Sequence, residues 1–402
     1  MAENKKRKLI GFGFKDILNF LGKGKQREDA INQAGTHPAP QEYPVNHMAK
    51  LRHPYEQVFI IRDIISHGGG CFTYKLARKD GKTPALFRAG QYVVVREMID
   101  GKRIARPITI SSGIEDAMKG YMSLTVKALP NGFFSPYVTS HWKVGDEVHT
   151  SGPQGNFYYS SLRDEKHVIA VSGGGGITPF LSMALSIASG DEDFELDVVY
   201  GVNCIEEVMF MEQWQEIMKR TDKVRLHIMS KEPSEKAEFS GYISKEIIEK
   251  LANQQPFSIF ACGPQPMYVH LDSIAEALNI DQKHYRKEIF GSPKDPTILP
   301  GYKLIQTDRP LKATIKIATE TFEIPMDPNE TIMTALERAG IAGPNRCRGG
   351  ICGYCRSKLL SGEVYVPEGI DGRRIHDKER GYIHPCCCFP LSDIVLEMPN
   401  NR

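Results

Sequence analysis

The chain has 402 residues, 41% of them hydrophobic and 25% charged, with a formal net charge of +2. That length exceeds one ordinary core and predicts roughly two to four domains. So near-neutral a balance excludes a global electrostatic drive towards nucleic acid. No run approaches the roughly 18 to 20 apolar residues that cross a bilayer, and the first residues lack the apolar core of a secretion signal, so a cytoplasmic location is expected. In that reducing compartment the nine cysteines read as metal ligands rather than disulfide partners.

The basic excess sits in residues 1–27, where eight Lys/Arg face only Glu3 and Asp16, a local net of +6. Ile10, Phe14, Ile17, Leu18 and Leu21 recur at helical spacing, predicting a short amphipathic helix that Gly22 stops. It reads either as a docking helix for a membrane surface or partner, or as a helix packed on its own protein. We assign residues 1–45 to this extension. Residues 46–160 are expected to form an antiparallel β-barrel, because runs such as "QYVVVREMIDGKRIARPITISS" and "YMSLTVKALPNG" alternate between turn signals. Over residues 161–292, "HVIAV", "LDVVY", "VRLHIM" and "FSIFA" alternate with helical segments, predicting an α/β domain with a parallel sheet. Residues 293–310 form a proline-bearing linker. In residues 311–402 a hairpin over "ATIKIATETFEIPM" and a helix over "TIMTALERAG" precede a cysteine-rich loop.

Four constellations carry chemistry. Gly173, Gly174, Gly175 and Gly176 follow the first strand of the α/β domain, and Thr178 with Pro179 opens a helix whose free N–H groups attract anions. A phosphate-bearing ligand is indicated, although a tight strand-to-helix turn would use the same residues. Cys262, Gly263 and Pro264 end a later strand at the same edge, where open α/β sheets bind ligands. In the barrel, Arg106 precedes the hydroxyl donors Thr109, Ser111 and Ser112, and Ser135 with Pro136 starts a helix; arginine plus a helix N-terminus makes a phosphate clamp. Finally, Cys347, Cys352 and Cys355 give C-x4-C-x2-C, and "HPCCCFP" offers a fourth cysteine after 30 intervening residues. That is the spacing of a plant-type [2Fe-2S] site, whereas zinc usually takes two C-x2-C pairs.

Over residues 50–290 these motifs together resemble the ferredoxin NADP reductase family, whose flavin barrel bears Arg-x-Tyr-Ser/Thr and whose nucleotide domain bears a Gly-rich loop and Cys-Gly-Pro. The resemblance implies that the run Arg106, Pro107, Ile108 and Thr109 carries the flavin, with Arg106 on its phosphate and Thr109 near N5. It also implies that Gly132, Phe134 and Ser135 line the pyrophosphate, that Gly173 to Gly176 and Thr178 take the nicotinamide dinucleotide, and that Cys262 lies beside the nicotinamide. Ile108 stands where the family stacks a tyrosine, which leaves FAD or FMN open. Phe290, ending "YRKEIF", resembles the family's Glu-x-Phe and would cover a ring face, or else is a core residue.

Residues 311–402 resemble the plant-type ferredoxin domain, an α+β β-grasp fold. There the last ligand lies four residues before a proline, as Cys386 does before Pro390. Cys387 and Cys388 would then be structural. The domain order resembles the phthalate dioxygenase reductase type, which implies electron flow from NAD(P)H through FAD and a [2Fe-2S] cluster to a separate redox protein accepting single electrons. The alternatives are a self-contained flavin enzyme reducing a small molecule, and a non-catalytic metal-binding module that would leave two nucleotide motifs idle. Ser230, Lys231 and Glu232 leave NADH and NADPH both open.

Overall fold

A computed structural model describes residues 14–33, 43–289, 291–292 and 295–400. Ile10 and Phe290 lie outside the described residues. The chain divides into two units, Met1–Ala49 and Lys50–Arg402. In the first, a helix spans Phe14–Gln33 and runs through Gly22, where the pattern predicted a stop. The segment beyond it is mostly Lys, Gln, Arg, Glu and Ala, good helix formers that offset a glycine's cost of about 1 kcal/mol. Ile17, Leu18, Leu21 and Ile31 are exposed on this helix.

The second unit opens with a six-stranded antiparallel sheet. Its strands are β1 (Gln57–Ser66), β2 (Cys71–Arg78), β3 (Tyr92–Ile99), β4 (Lys102–Thr109), β5 (Tyr121–Lys127) and β6 (Glu147–Thr150), in the order β4-β3-β6-β1-β2-β5. Asp100 and Gly101, both at positive φ, form the two-residue turn between β3 and β4, the backbone that a tight hairpin with right-handed twist requires. Alternation along β5 turns Met122, Leu124 and Val126 inwards against Tyr74, Leu76, Val93 and Val148. A bridge between Ile110 and Leu124 draws the two edge strands together and curves the sheet into a barrel.

Next comes an all-parallel sheet of β7 (His167–Gly173), β8 (Glu195–Val202), β9 (Val224–Ser230), β10 (Phe239–Ser240), β11 (Phe257–Cys262) and β12 (Tyr285–Glu288). Its order, β10-β9-β8-β7-β11-β12, reverses direction at β7. Ligands bind at such a reversal, outside the carboxyl ends of the strands. The strands read as continuous apolar runs because helices cover both faces, Phe180 and Leu181 on one side, Ile248 and Leu271 on the other.

The last sheet comprises β13 (Leu311–Ile317), β14 (Glu320–Met326), β15 (Ser357–Ser361), β17 (Tyr382–Ile383) and β19 (Ile394–Met398), with β16 (Val364–Tyr365) paired to β18 (Phe389–Pro390) beside it. The helix Ile332–Arg338 packs Ile332 and Leu336 onto this sheet and is capped by the Thr331 side chain. The linker is fastened to this sheet's domain. Tyr302 Oη donates to Pro328 O at 3.1 Å, and Tyr365 Oη to Pro300 O at 2.7 Å.

Candidate functional site

At the switch point β7 ends in Gly173, a tight turn covers Gly174–Ile177, and the helix Thr178–Ala188 follows. A Cβ on Gly176 would stand 1.9 Å from the Cys262 carbonyl oxygen, and one on Gly173 2.7 Å from Pro264 Cδ. The glycine loop and the Cys262–Pro264 loop therefore interlock backbone to backbone. Gly174 and Gly175, by contrast, would meet nothing within 4 Å, so their outer face is an open cradle of the kind a dinucleotide needs. Ser230 Oγ donates to Asn203 O at 3.3 Å.

Cys262 is buried, and burial pushes its thiol well above the usual range. Its register partner across the sheet is Glu288. Burial raises that carboxyl to about 8, so it carries a proton near neutral pH. Tyr268 Oη accepts from the Gly263 N–H at 3.0 Å and donates to the Glu288 carbonyl, fixing this corner. Glu288 is the acid of the Glu-x-Phe run, in which the sequence reading gives only Phe290 a role; it closes the edge strand β12 at the ligand side of the sheet.

In the barrel, Thr109 is buried at the end of β4 and paired in register with Tyr92. Pro107 is buried and Ile108 half-buried. The Ser111 hydroxyl is committed to Thr125 Oγ1 at 2.8 Å and Ser123 O at 3.2 Å, whereas Ser112 Oγ accepts from the Ser123 N–H and keeps its own proton to donate. Their partners lie on β5, next to the end of β4. Gly132 turns tightly over Leu129 O. Phe134 and Ser135 open the helix Phe134–His141, and Ser135 Oγ accepts from the Leu129 N–H at 3.1 Å. The Arg106 guanidinium stands 6.0 Å from the centre of the Phe134 ring.

Cys347, Cys355 and Cys386 are buried and Cys352 is exposed. Cys355 Sγ lies 3.4 Å from Cys386 Sγ, and the Cys347 thiol touches those of Cys352 and Cys386. Among the described residues no three His, Cys, Asp or Glu are arranged around a single ion. The four thiols lie in one chain of contacts, Cys352, Cys347, Cys386 and Cys355, and a soft all-sulfur donor set fits an iron-sulfur cluster. The Gly349 N–H donates to Cys347 Sγ at 3.4 Å. Cys387 and Cys388 are fully buried in the core of the last sheet.

This loop is pressed against the other two domains. Cys347 is buried with Tyr92, Val94 and Ala105 of the barrel. A Cβ on Gly349 would stand 2.4 Å from the carbonyl of Ile289, the residue after Glu288. Burial raises the Tyr92 hydroxyl, helped by Cys347, Cys352 and Glu288 around it. Arg106 meets a partner that no motif announced, the Glu337 carboxylate, at 2.8 Å.

Residues 58–159 match the model of the oxidoreductase FAD-binding domain, 170–272 that of the oxidoreductase NAD-binding domain, and 315–391 that of the 2Fe-2S iron-sulfur cluster binding domain. The glycine betaine monooxygenase reductase subunit of Chromohalobacter salexigens is 30% identical over 78% of this chain and 87% of that one. The chain belongs to the iron-sulfur flavoprotein reductases. A subunit of the 1,2-phenylacetyl-CoA epoxidase of Escherichia coli is 27% identical over 77% of the reductase and 88% of that protein. Among solved structures, phthalate dioxygenase reductase shares the fold with a TM-score of 0.61 at 22% identity, covering 86% of the reductase and 98% of that chain. The reductase is thus an NAD(P)H oxidoreductase whose cofactors are FAD, NAD(P)H and a [2Fe-2S] cluster.

Proposed function

We propose that the reductase supplies single electrons from NAD(P)H to a separate oxygenase component. The observation that carries this reading is the packing of the cysteine loop onto the flavoprotein part: Cys347 is buried against Tyr92, the register partner of Thr109, and Gly349 abuts the chain just past Glu288. When bound, these groups would supply transfer of two electrons as one hydride from nicotinamide to flavin, and single-electron transfer at the iron-sulfur centre.

In this reading Arg106 grips the flavin phosphate and Gly132, Phe134 and Ser135 line the pyrophosphate. Thr109 offers its hydroxyl to the ring. Gly173 to Gly176 and Thr178 receive the dinucleotide, with Cys262, Gly263 and Pro264 flanking the nicotinamide. Glu288 holds a proton on its carboxyl beside Cys262, and Tyr92 excludes water between barrel and cysteine loop. Cys347, Cys352, Cys355 and Cys386 would hold the cluster as four thiolates. No described helix is long and apolar enough to cross a membrane. A cytoplasmic location and an N-terminal helix that docks on a partner or membrane surface belong to the same reading, the latter supported by the exposed Ile17, Leu18 and Leu21.

Cys347→Ser tests the route. The variant is expected to keep its flavin and to reduce ferricyanide with NAD(P)H, while reduction of cytochrome c falls by about tenfold or more because one iron loses a thiolate. Cytochrome c reduction at the parent rate would show that electrons leave from the flavin.

A further inference from the structure

Glu337 sits in the last turn of the helix Ile332–Arg338, in the ferredoxin domain, and is almost fully buried. Its carboxylate receives Arg106 from the barrel end-on: Nη1 donates to Oε1 at 2.8 Å and Nη2 to Oε2 at 3.0 Å. Oε1 also accepts from Arg348 Nη1 at 2.6 Å and from Asn345 Nδ2 at 3.1 Å. Arg348 follows the cysteine Cys347 and is itself buried. One carboxylate therefore joins an arginine of the barrel to an arginine of the cysteine loop.

A guanidinium has five N–H donors in a rigid plane. In Arg106, Nη1 gives its second proton to Ala105 O at 2.8 Å. That leaves Nε–H and the second proton of Nη2, which lie side by side on one edge, and neither finds an acceptor among the described residues. Such an edge is the geometry of a bidentate bond to a phosphate. The trio of Arg106, Arg348 and Glu337 also carries a net charge of +1, which an anion on that edge would balance.

We propose that Glu337 is a positioning residue for the flavin: by holding one edge of the Arg106 guanidinium from the ferredoxin domain, it turns the neighbouring edge to the flavin phosphate. Flavin affinity in the barrel then depends on a residue more than two hundred positions away, in another domain. The inference rests on the reading that Arg106 meets the flavin phosphate. Removing the carboxylate's charge leaves the buried Arg348 guanidinium and the half-buried Arg106 guanidinium facing each other without a counter-charge, and Arg106 has no reason to keep its orientation.

The test uses the full-length holoprotein and measures the flavin dissociation constant, with visible absorption and iron content of the cluster as a control for folding. Glu337→Gln is expected to raise the dissociation constant by about tenfold, the scale of one charge-assisted hydrogen bond, with the cluster intact. In the Arg106→Ala background the same change is expected to alter it by less than about twofold, because the two residues act as one unit. Parent affinity in Glu337→Gln together with weakened affinity in Arg106→Ala overturns the positioning role and leaves the phosphate reading standing. Parent affinity in Arg106→Ala overturns both. An equal loss with and without Arg106 marks a merely structural effect and also overturns the proposal. Should Glu337→Gln lose its cluster, Glu337→Asp, which keeps the charge but cannot span both arginines, is read by the same cycle with the same outcomes.

Discussion

The glycine loop offers two adjacent alanine substitutions with opposite expected effects. At Gly176 a Cβ would stand 1.9 Å from the Cys262 carbonyl oxygen, so one loop must retreat by about 1.5 Å to reach ordinary contact. The Cβ is fixed by its own backbone and the oxygen belongs to backbone, so no rotamer change relieves them. Gly176→Ala is therefore expected to cost at least the usual overpacking penalty of about 1 to 3 kcal/mol. Thermal unfolding of the nucleotide domain should fall by roughly 2 to 4 °C per kcal/mol. At Gly175 a Cβ meets nothing within 4 Å, and alanine suits the helical turn better than glycine. Gly175→Ala should leave stability within about 0.5 kcal/mol of the parent. Its methyl, however, stands on the open face that the dinucleotide must approach. A tenfold rise in the NAD(P)H dissociation constant, about 1.4 kcal/mol, is expected from titration of the protein with nucleotide. If Gly175→Ala binds NAD(P)H as the parent does, the dinucleotide does not lie on these glycines. If Gly176→Ala melts at the parent temperature, the interlock of the two loops is not what holds this edge together.

Two further predictions concern the cysteine run and the buried carboxyl. Cys386→Ser should lose the cluster's visible absorption and its iron, whereas Cys387→Ser and Cys388→Ser should lose stability but keep iron; the reverse pattern reassigns the fourth ligand. Glu288 has its folded pKa raised from the ordinary carboxyl value to about 8 by burial, so its contribution to stability is complete below about pH 4.5 and is lost as pH rises through 8. Stability should drop by a few kcal/mol across that window, at about 1.4 kcal/mol for each tenfold fall in proton activity. Glu288→Gln should flatten the drop, and an unchanged slope would mean that another group titrates.

Much of this architecture was legible because its signals are local. A strand running into four glycines, a Cys-Gly-Pro at a strand end and a C-x4-C-x2-C loop each occupy a dozen residues or fewer, and the structure brings the first two together at the switch point. What escaped is tertiary. Glu337 is an ordinary acid on an ordinary helix until Arg106, 231 positions earlier, is folded against it. Tyr92 is one apolar residue among several in β3 until Cys347 covers it. Ser111 spends its hydroxyl within the barrel for the same reason, since its partners sit on a different strand. Gly22 shows the converse, a local signal too weak to end a helix whose neighbours favour it.

The linker changes meaning in the structure. A flexible tether would bring the cysteine loop to the flavin by raising its effective concentration. Here, however, Tyr302 and Pro300 are bonded to the ferredoxin domain itself, so the separation of the two redox sites is set by the interface. That interface joins a small apolar patch of Tyr92, Val94, Ala105 and Cys347 to polar bonds from Lys102 Nζ to Arg338 O at 2.9 Å, and from Arg106 to Glu337. So small an apolar area resembles a transient contact more than a core, which gives the ion trio of Arg106, Glu337 and Arg348 a large share in holding it closed. An anion seated on Arg106 would strengthen the same trio. Flavin binding and docking of the ferredoxin domain are in that case two readings of one equilibrium, and a protein stripped of flavin should hold its cysteine loop less firmly against Tyr92 than the loaded one does.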